Sequence, residues 1–188
     1  MNTQLADIGI GTRDVGDFLS SVLKNSSKPL TRVLEHLSGV PLAIKVLADG
    51  KRPLTEAEAY RLRAAGVTGC RWRTGLLLAP DGTVAASTAL TWIPARLPFD
   101  ACRDLDAGAQ PAGIILGRLG MYRTDRRAMA TRMMEEVTGQ DAAVIASAVL
   151  EVDGQAVGIA GETITRAFAE ALAGQSVTTT QGNVTIGT

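Results

Sequence analysis

The sequence predicts an α+β protein in which helices pack on one face of an antiparallel sheet of about five to six strands. Two observations predict this class. Helical periodicity comes first along the chain and two apolar hairpins follow, an order typical of an α+β fold rather than of alternating strands and helices. Each hairpin is expected to turn at an Asp-Gly pair, Asp81-Gly82 or Asp153-Gly154, because such pairs adopt the positive φ angles of tight turns.

The spacing of apolar residues assigns most of the elements. Helical spacing occurs in three segments, 13–24, 29–38 and 55–65. Pro29 fits the first position of the second helix, and Gly39 fits its left-handed cap. Thr55 and Glu58 have the spacing of a capping box that opens the third helix. Apolar runs bounded by turn residues predict strands over 41–48, 70–79, 83–93, 142–152 and 155–164.

The segments between the two hairpins are less regular. Residues 96–108 fit a loop or a short helix, and residues 111–119 fit a short helix. Residues 120–137 are ambiguous, because Met129 and Met133 fit a helical face whereas the preceding residues fit an exposed strand. Both alternatives stay open for this segment.

Length and polarity predict one domain with a short tail. A chain of 188 residues suits a single domain, which we place at 1–173. Residues 174–188 are polar and offer few side chains for a core. We therefore expect this tail to be disordered.

Composition and charge exclude several classes of function. Basic and acidic residues number 19 each, and the calculated pI is about 6.6, so nothing indicates a nucleic-acid or anionic membrane surface. No apolar run approaches the roughly 20 residues that span a bilayer, and residues 1–17 lack the basic start of a signal peptide. We expect a cytoplasmic protein with a small-molecule substrate, no nucleic-acid partner and no membrane partner. The oligomeric state stays open.

The reactive side chains argue against a metal or a cofactor. Cys70 and Cys102 are isolated from each other in the sequence and are expected to be reduced thiols. His36 is the only histidine and falls within a predicted amphipathic helix. A transition-metal site or a Ser-His-Asp arrangement therefore lacks its usual residues. We expect neither a metal nor a cofactor.

Strand alternation places two charges beside small residues. Arg73 shares a strand face with Gly75, and Glu162 shares one with Gly158 and Ala160. Small residues on a sheet leave space, so these charges fit a polar floor under a cavity. The alternative is that both charges lie at solvated strand positions. The opposite face of the first hairpin strand is expected to be the core face, since it carries Trp72, Thr74, Leu76 and Leu78.

Four segments, in this order and spacing, resemble chorismate lyases. KPLTRVLEHLSGVPLAIKVL (28–47) is similar to the helix and first strand that open these enzymes, and RTGLLLAPDG (73–82) to their arginine-led strand. QPAGIILGRL (110–119) resembles their Pro-x-Gly segment, and VDGQAVGIAGETITRAF (152–168) their last hairpin. The likeness spans about residues 28–168 and is closest to the actinobacterial branch. It implies a chorismate lyase-like fold with a ligand cavity under flap segments.

The resemblance also implies roles for individual residues. Arg73 matches the arginine that binds a substrate carboxylate, Glu162 matches the catalytic glutamate, and Pro111 and Gly113 match a flap over the ligand. The implied activity is that of a cofactor-independent lyase, which removes pyruvate from chorismate or a related enolpyruvyl compound and leaves a hydroxybenzoate-type product. A carboxyl group with a raised pKa suits the proton transfer in that elimination.

One departure from the family puts the substrate in doubt. The family usually places a second arginine on the outgoing strand of the first hairpin, where this chain has STALTWI (87–93), with Leu90 or a neighbour at the position. We include Arg123 as a candidate substrate-binding cation, and the other candidates are Arg96, Arg126 and Lys45. Losing one cation from a dicarboxylate site would cost about 1.5–3 kcal/mol per charge-assisted hydrogen bond.

Three hypotheses about function stay open. The first is the lyase. The second is a protein of the same fold with altered chemistry, such as a cyclase or isomerase acting on a less charged secondary metabolite. The third is a small-molecule-binding module like the related effector domains of bacterial transcription regulators. The sequence shows no attached helix-turn-helix, which disfavours the third hypothesis, and the missing arginine separates the first two.

Overall fold

The computed structural model describes residues 15–67 and 69–181, which form helices packed on one antiparallel sheet. The helices are α1 (Val15–Asn25), α2 (Leu30–Ser38), α3 (Glu56–Arg61), α4 (Phe99–Ala107), α5 (Ala112–Gly117) and α6 (Arg166–Gln181). The strands are β1 (Ala43–Arg52), β2 (Cys70–Leu78), β3 (Val84–Trp92), β4 (Tyr122–Ala130), β5 (Met134–Glu135), β6 (Gln140–Val152) and β7 (Gln155–Thr165).

The sheet has the order β1-β2-β3-β7-β6-β4, and the short β5 pairs with β6. Every pairing is antiparallel. The predicted fold class is therefore confirmed. The sheet has seven strands rather than five or six, because the ambiguous segment 120–137 contributes β4 and β5.

Both predicted hairpins form, and an Asp-Gly pair lies in each turn. In the β6–β7 turn, Asp153 has φ of 49° and Gly154 has φ of 76°, so both residues adopt the left-handed region. In the β2–β3 turn only Gly82 does so, with φ of 86°. There the Asp81 carboxylate accepts a hydrogen bond from the Thr83 amide at 2.9 Å, which stabilises a longer turn.

The helix-end signals in the sequence also hold in the structure. Gly39 closes α2 with φ of 70°, and its amide donates to the Glu35 carbonyl. Pro29 lies one position earlier than predicted, at the N-cap of α2. The Thr55–Glu58 capping box is complete, although α3 is shorter than the predicted 55–65.

Residues 120–137 form strands because sheet pairing outweighs their helical spacing. Within β4, Met129 lies opposite Ile145 of β6. The methionines that suggested a helical face are exposed, at 61% for Met129 and 67% for Met133. Methionines at helical spacing indicate a helix only when they pack against a neighbouring element. In this segment the pairing with β6 determines the conformation.

The two faces of the sheet are covered unequally. The inner face carries Leu77, Leu90 and Ile164, and it packs against α1, α2 and α6 in one cluster and against α4 and α5 in a second. The outer face carries Val149 and Ile159, which pack with residues that follow α3. Five helices therefore lie on one face, as predicted, and α3 is the exception.

The core face of β2 is the opposite of the one predicted. Arg73, Gly75 and Leu77 are the buried positions, whereas Trp72 and Leu76 are only half-buried. Alternation separates the two faces but does not say which one the helices cover. The helices cover the face that carries the charges.

The last helix continues into the segment for which we predicted disorder. α6 runs to Gln181, because a helix that is anchored by packed residues in its first turns, such as Phe168 and Leu172, propagates at little further cost. Residues 182–188 lie outside the described residues, and the division into a domain and a tail stays a prediction. Among the described helices, none has the length and apolar character needed to cross a bilayer.

A partly exposed ion pair on the outer face makes stability depend on pH. The two terminal nitrogens of Arg52 donate to the two carboxylate oxygens of Glu58 at 2.6 Å each, and the Thr91 hydroxyl donates to the same carboxylate at 2.9 Å. The hydrogen bond from Arg52 is the largest cause that lowers the pKa of Glu58 to about 2. A lowered pKa stabilises the fold above the usual carboxyl range, and the stabilisation is lost as pH falls through the folded-state value.

We therefore expect the free energy of unfolding to fall by about 2 kcal/mol between about pH 5 and pH 2 through this group alone. Glu58→Gln should remove that part of the pH dependence, as measured by urea unfolding at each pH. Glu56→Gln is the matched control, since Glu56 is an exposed residue of the same helix. The same pH profile for Glu58→Gln and for the wild type would contradict the prediction.

Candidate functional site

A cavity lies on the inner face of the sheet, beneath the first turns of two helices. It contains about 550 Å³ of space between its atoms, part of which is open to solvent. Its floor includes Arg73, Thr88, Leu90, Arg123, Ala160 and Glu162. Its cover consists of two segments, 29–31 at the start of α2 and 111–113 at the start of α5. Mostly apolar walls with few polar groups are typical of a small-molecule site.

The strand register sets the positions of the three charges. Arg73 on β2 lies opposite Leu90 on β3, which lies opposite Ala160 on β7. Glu162 is two residues further along β7 and therefore shares a face with Ala160. Arg123 belongs to β4, at the far edge of the sheet. In the strand order, β7 is two strands from β2 and two strands from β4, so Glu162 lies between the two arginines.

Arg123 and Glu162 form a buried ion pair. The Nη2 atom of Arg123 donates to Oε2 of Glu162 at 2.6 Å. Arg123 is 2% exposed, and its Nε and Nη1 atoms have no hydrogen-bond partner among the described residues. Burial raises the pKa of Glu162, while the charge and the hydrogen bond of Arg123 lower it. Unpaired buried donors cost about 1–3 kcal/mol each, so this arginine has unused capacity to bind an acceptor.

Arg73 is the second buried cation of the cavity. It is 5% exposed, and its Nη1 atom donates to the Leu105 carbonyl at 2.8 Å. Burial lowers the pKa of Arg73, whereas Asp49 and Asp106 raise it. An arginine keeps its charge in such surroundings because its ordinary pKa is above 12. The floor therefore has a fixed positive charge on each side of Glu162.

The two glycines that suggested a cavity have a different role. A Cβ atom at Gly75 would lie 2.8 Å from the Lys45 carbonyl oxygen, and one at Gly158 would lie 2.6 Å from the Thr91 carbonyl oxygen. Both glycines therefore allow close approach between neighbouring strands, and neither lines the cavity. Ala160 does line it. Of the three small residues that predicted a cavity, Ala160 alone borders it.

Gly113 allows the two cover segments to contact each other closely. It lines the cavity, and a Cβ atom built on it would lie 2.4 Å from Cβ of Pro29. The α5 backbone can therefore reach Pro29 only because residue 113 has no side chain. The predicted flap around Pro111 and Gly113 does lie over the cavity.

The structure separates the remaining sequence candidates. Arg96 donates to the carbonyls of Leu62 and Ala156, Arg126 is exposed and donates to the Asn25 carbonyl, and Lys45 is exposed. Only Arg123, of the alternative cations, lines the cavity. The pairing of Arg123 with Glu162 was not predicted, because it requires β4 to lie beside β6, and no local pattern reveals that adjacency. Thr88 was not predicted as a site residue either, although it lies two residues from Leu90 on β3 and therefore shares its face.

Sequence comparison identifies no relative of the chain. No family model matches it, and no curated protein matches it. Its fold, in contrast, is found in solved structures, which share the antiparallel sheet with helices packed on it.

The crystal structure of PhnF from Mycobacterium smegmatis matches 73% of this chain with a TM-score of 0.55 and 11% identity, and the match covers 63% of that chain. The crystal structure of the effector domain of PhnF from the same organism matches 74% of this chain and 89% of its own, with a TM-score of 0.56 and 14% identity. The possible transcriptional regulator YydK from Bacillus subtilis matches 70% of this chain and 60% of its own, with a TM-score of 0.50 and 12% identity. The chain thus spans less than two thirds of the length of the PhnF and YydK chains.

These matches correct the expected activity. The resemblance of the fold is supported, but the structures that share it are described as an effector domain and a transcriptional regulator, not as lyases. The predictions of a carbon–oxygen lyase, of pyruvate release and of a hydroxybenzoate product are therefore wrong. A shared fold does not carry a shared chemistry.

The contact between the cover segments is testable. Gly113→Ala should push α5 away from Pro29, because a methyl group 2.4 Å from the Pro29 Cβ atom cannot be accommodated in place. We expect a loss of about 1–3 kcal/mol in the free energy of unfolding, measured with urea. Gly117→Ala is the control on the same helix, since its Cβ atom would contact nothing within 4 Å. Equal stabilities of the two variants would show that the cover segments do not meet as described.

Proposed function

We propose that this chain is a small-molecule-binding module of the effector-domain type, and that its cavity binds a small organic anion with an apolar body. The observation that carries the proposal is Arg123, which is buried at the cavity with its Nε and Nη1 atoms unpaired. A guanidinium in this state binds a carboxylate or a similar oxyanion strongly, because the cost of removing it from water is already present in the empty protein.

The charge of the cavity selects the class of ligand. Arg73 and Arg123 contribute two positive charges and Glu162 contributes at most one negative charge, so the net charge is +1 or +2. Because burial raises the pKa of Glu162, the carboxyl group is protonated more readily than an exposed one, and this favours the more positive state. An anion complements either state, and a cation complements neither.

The apolar side chains of the cavity indicate the chemical character of the part of the ligand that is not charged. Leu90, Met121 and Leu150 line the cavity near the charges and offer no polar side-chain group except the thioether of Met121. We therefore favour a ligand in which the acidic group is attached to a compact apolar body. The Glu162 carboxyl group adds a place for a hydroxyl or amino group on the ligand.

The fold supports a binding role over catalysis. The effector domain of PhnF shares the architecture along 89% of its own length. Since complete structures of this fold include a possible transcriptional regulator, a nucleic-acid partner of the whole protein is part of the proposal, although the charge balance of this chain had argued against one.

A set of three isosteric probes tests the charge selection. Benzoate, benzamide and benzylamine have similar apolar bodies with an anionic, a neutral and a cationic head group. We expect benzoate to raise the melting temperature and to give the lowest Kd by calorimetry, and benzylamine to bind least. Preferential binding of benzylamine would contradict the proposed chemistry of the cavity.

Arg123→Met should weaken benzoate binding by about tenfold or more, the loss expected for one charge-assisted hydrogen bond. Arg126→Met is the matched control, because Arg126 belongs to the same strand but is exposed and does not line the cavity. Benzoate binding that is the same in both variants would remove Arg123 from the site.

A further inference from the structure

Arg73 contacts both the cavity and the end of a helix that leads into its cover. Its side chain lines the cavity floor, and its Nη1 atom donates to the carbonyl of Leu105 near the C-terminal end of α4. The Leu105 carbonyl also accepts from the amide of the cap residue Gly108 at 3.1 Å, and the carbonyl groups in the last turn of a helix carry partial negative charge. A buried guanidinium therefore stabilises this helix end by charge as well as by its hydrogen bond.

The backbone at the end of α4 is packed tightly around Arg73. Gly108 caps the helix with φ of 65°. A Cβ atom at Gly108 would lie 2.8 Å from Cγ2 of Val46 and 3.5 Å from Nη1 of Arg73. A side chain at position 108 would therefore clash with Val46 and contact the Arg73 guanidinium.

Only two residues separate this cap from the cavity cover. The chain passes from Gly108 to Pro111, which begins the cover segment 111–113. Arg71, two residues before Arg73 on the same face of β2, binds the adjacent Asp106 at 3.0 Å but does not line the cavity. Two arginines thus hold the end of α4, and Arg73 is the one of the two that also meets the cavity.

We infer that Arg73 couples occupancy of the cavity to the position of α4 and its connection to α5. The inference rests on the proposed function, since it requires an anion in the cavity. An acidic group bound to the remaining donors of Arg73 fixes the guanidinium, which then holds the Leu105 carbonyl and keeps the cover closed. By linkage, loosening the end of α4 must weaken binding of the anion.

Two glycine substitutions with the same backbone strain test this coupling. Gly108→Ala and Gly39→Ala each place a methyl group on a left-handed helix cap, at φ of 65° and 70°. A methyl group at Gly39 meets nothing within 4 Å, whereas one at Gly108 meets Val46 and Arg73. Both variants should therefore lose stability through strain, but only Gly108→Ala should weaken benzoate binding, by about fivefold or more. Equal Kd values for the two variants would overturn the inference.

A second measurement, without ligand, separates failure of the inference from failure of the proposed function. If benzoate does not bind the wild type, the proposed ligand chemistry fails, and the contact between Arg73 and α4 is then tested by amide hydrogen exchange. Arg73→Lys keeps the charge but loses the planar fork, and it should speed exchange of the amides in 105–113 by about tenfold. Arg71→Lys should have a smaller effect, since Arg71 forms a partly exposed ion pair. Unchanged exchange in Arg73→Lys would show that Arg73 does not hold α4, and would overturn the inference.

Discussion

Arg123 and Glu162 form an ion pair beneath the covering helices, at a depth where neither charge is well solvated. Removing two charges from water costs several kcal/mol per ion, and one hydrogen bond of 2.6 Å between them repays only part of that cost. Buried ion pairs of this kind are often less stable than apolar replacements of similar volume. The unpaired nitrogens of Arg123 increase the cost, so the pair is better explained by a function in binding than by a contribution to stability.

The other features of the cavity shield these two charges from solvent. The inner face must be covered, and α2 and α5 supply the cover through segments 29–31 and 111–113. The amide of Arg123 donates to the Ser27 carbonyl at 3.2 Å, which ties the edge strand to the chain that enters α2. Arg73 makes the corresponding link to α4 on the other side. The cations that line the cavity therefore also connect the sheet to the elements that close it.

Local sequence signals predicted much of the architecture. Asp153-Gly154 fixed a hairpin because only certain residues tolerate positive φ, and Thr55 with Glu58 fixed a helix start. Strand alternation placed Arg73 and Glu162 on faces that prove to be the same face of the sheet, and the structure brings both to one cavity. These signals succeed because each depends on residues close together in the chain.

Features that depend on contacts between distant residues could not be predicted from the sequence. Which face of β2 is covered depends on five helices, so the side with Arg73 could not be identified as the buried one from its own residues. The pairing of β4 with β6 decided the conformation of 122–130 against its helical spacing. The activity was mispredicted for another reason. The segments that resemble lyases indicate the fold, whereas the chemistry of a site depends on its individual residues.

The most direct test of a ligand at Arg123 observes its guanidinium. The Nε–H groups of arginines can be followed by ¹H–¹⁵N NMR, and Arg123→Met assigns the resonance. On addition of benzoate, we expect the Nε–H resonances of Arg123 and Arg73 to shift and to exchange more slowly with water, while that of Arg96, which donates to backbone carbonyls outside the cavity, stays in place. An unchanged Arg123 resonance in the presence of bound benzoate would contradict the account.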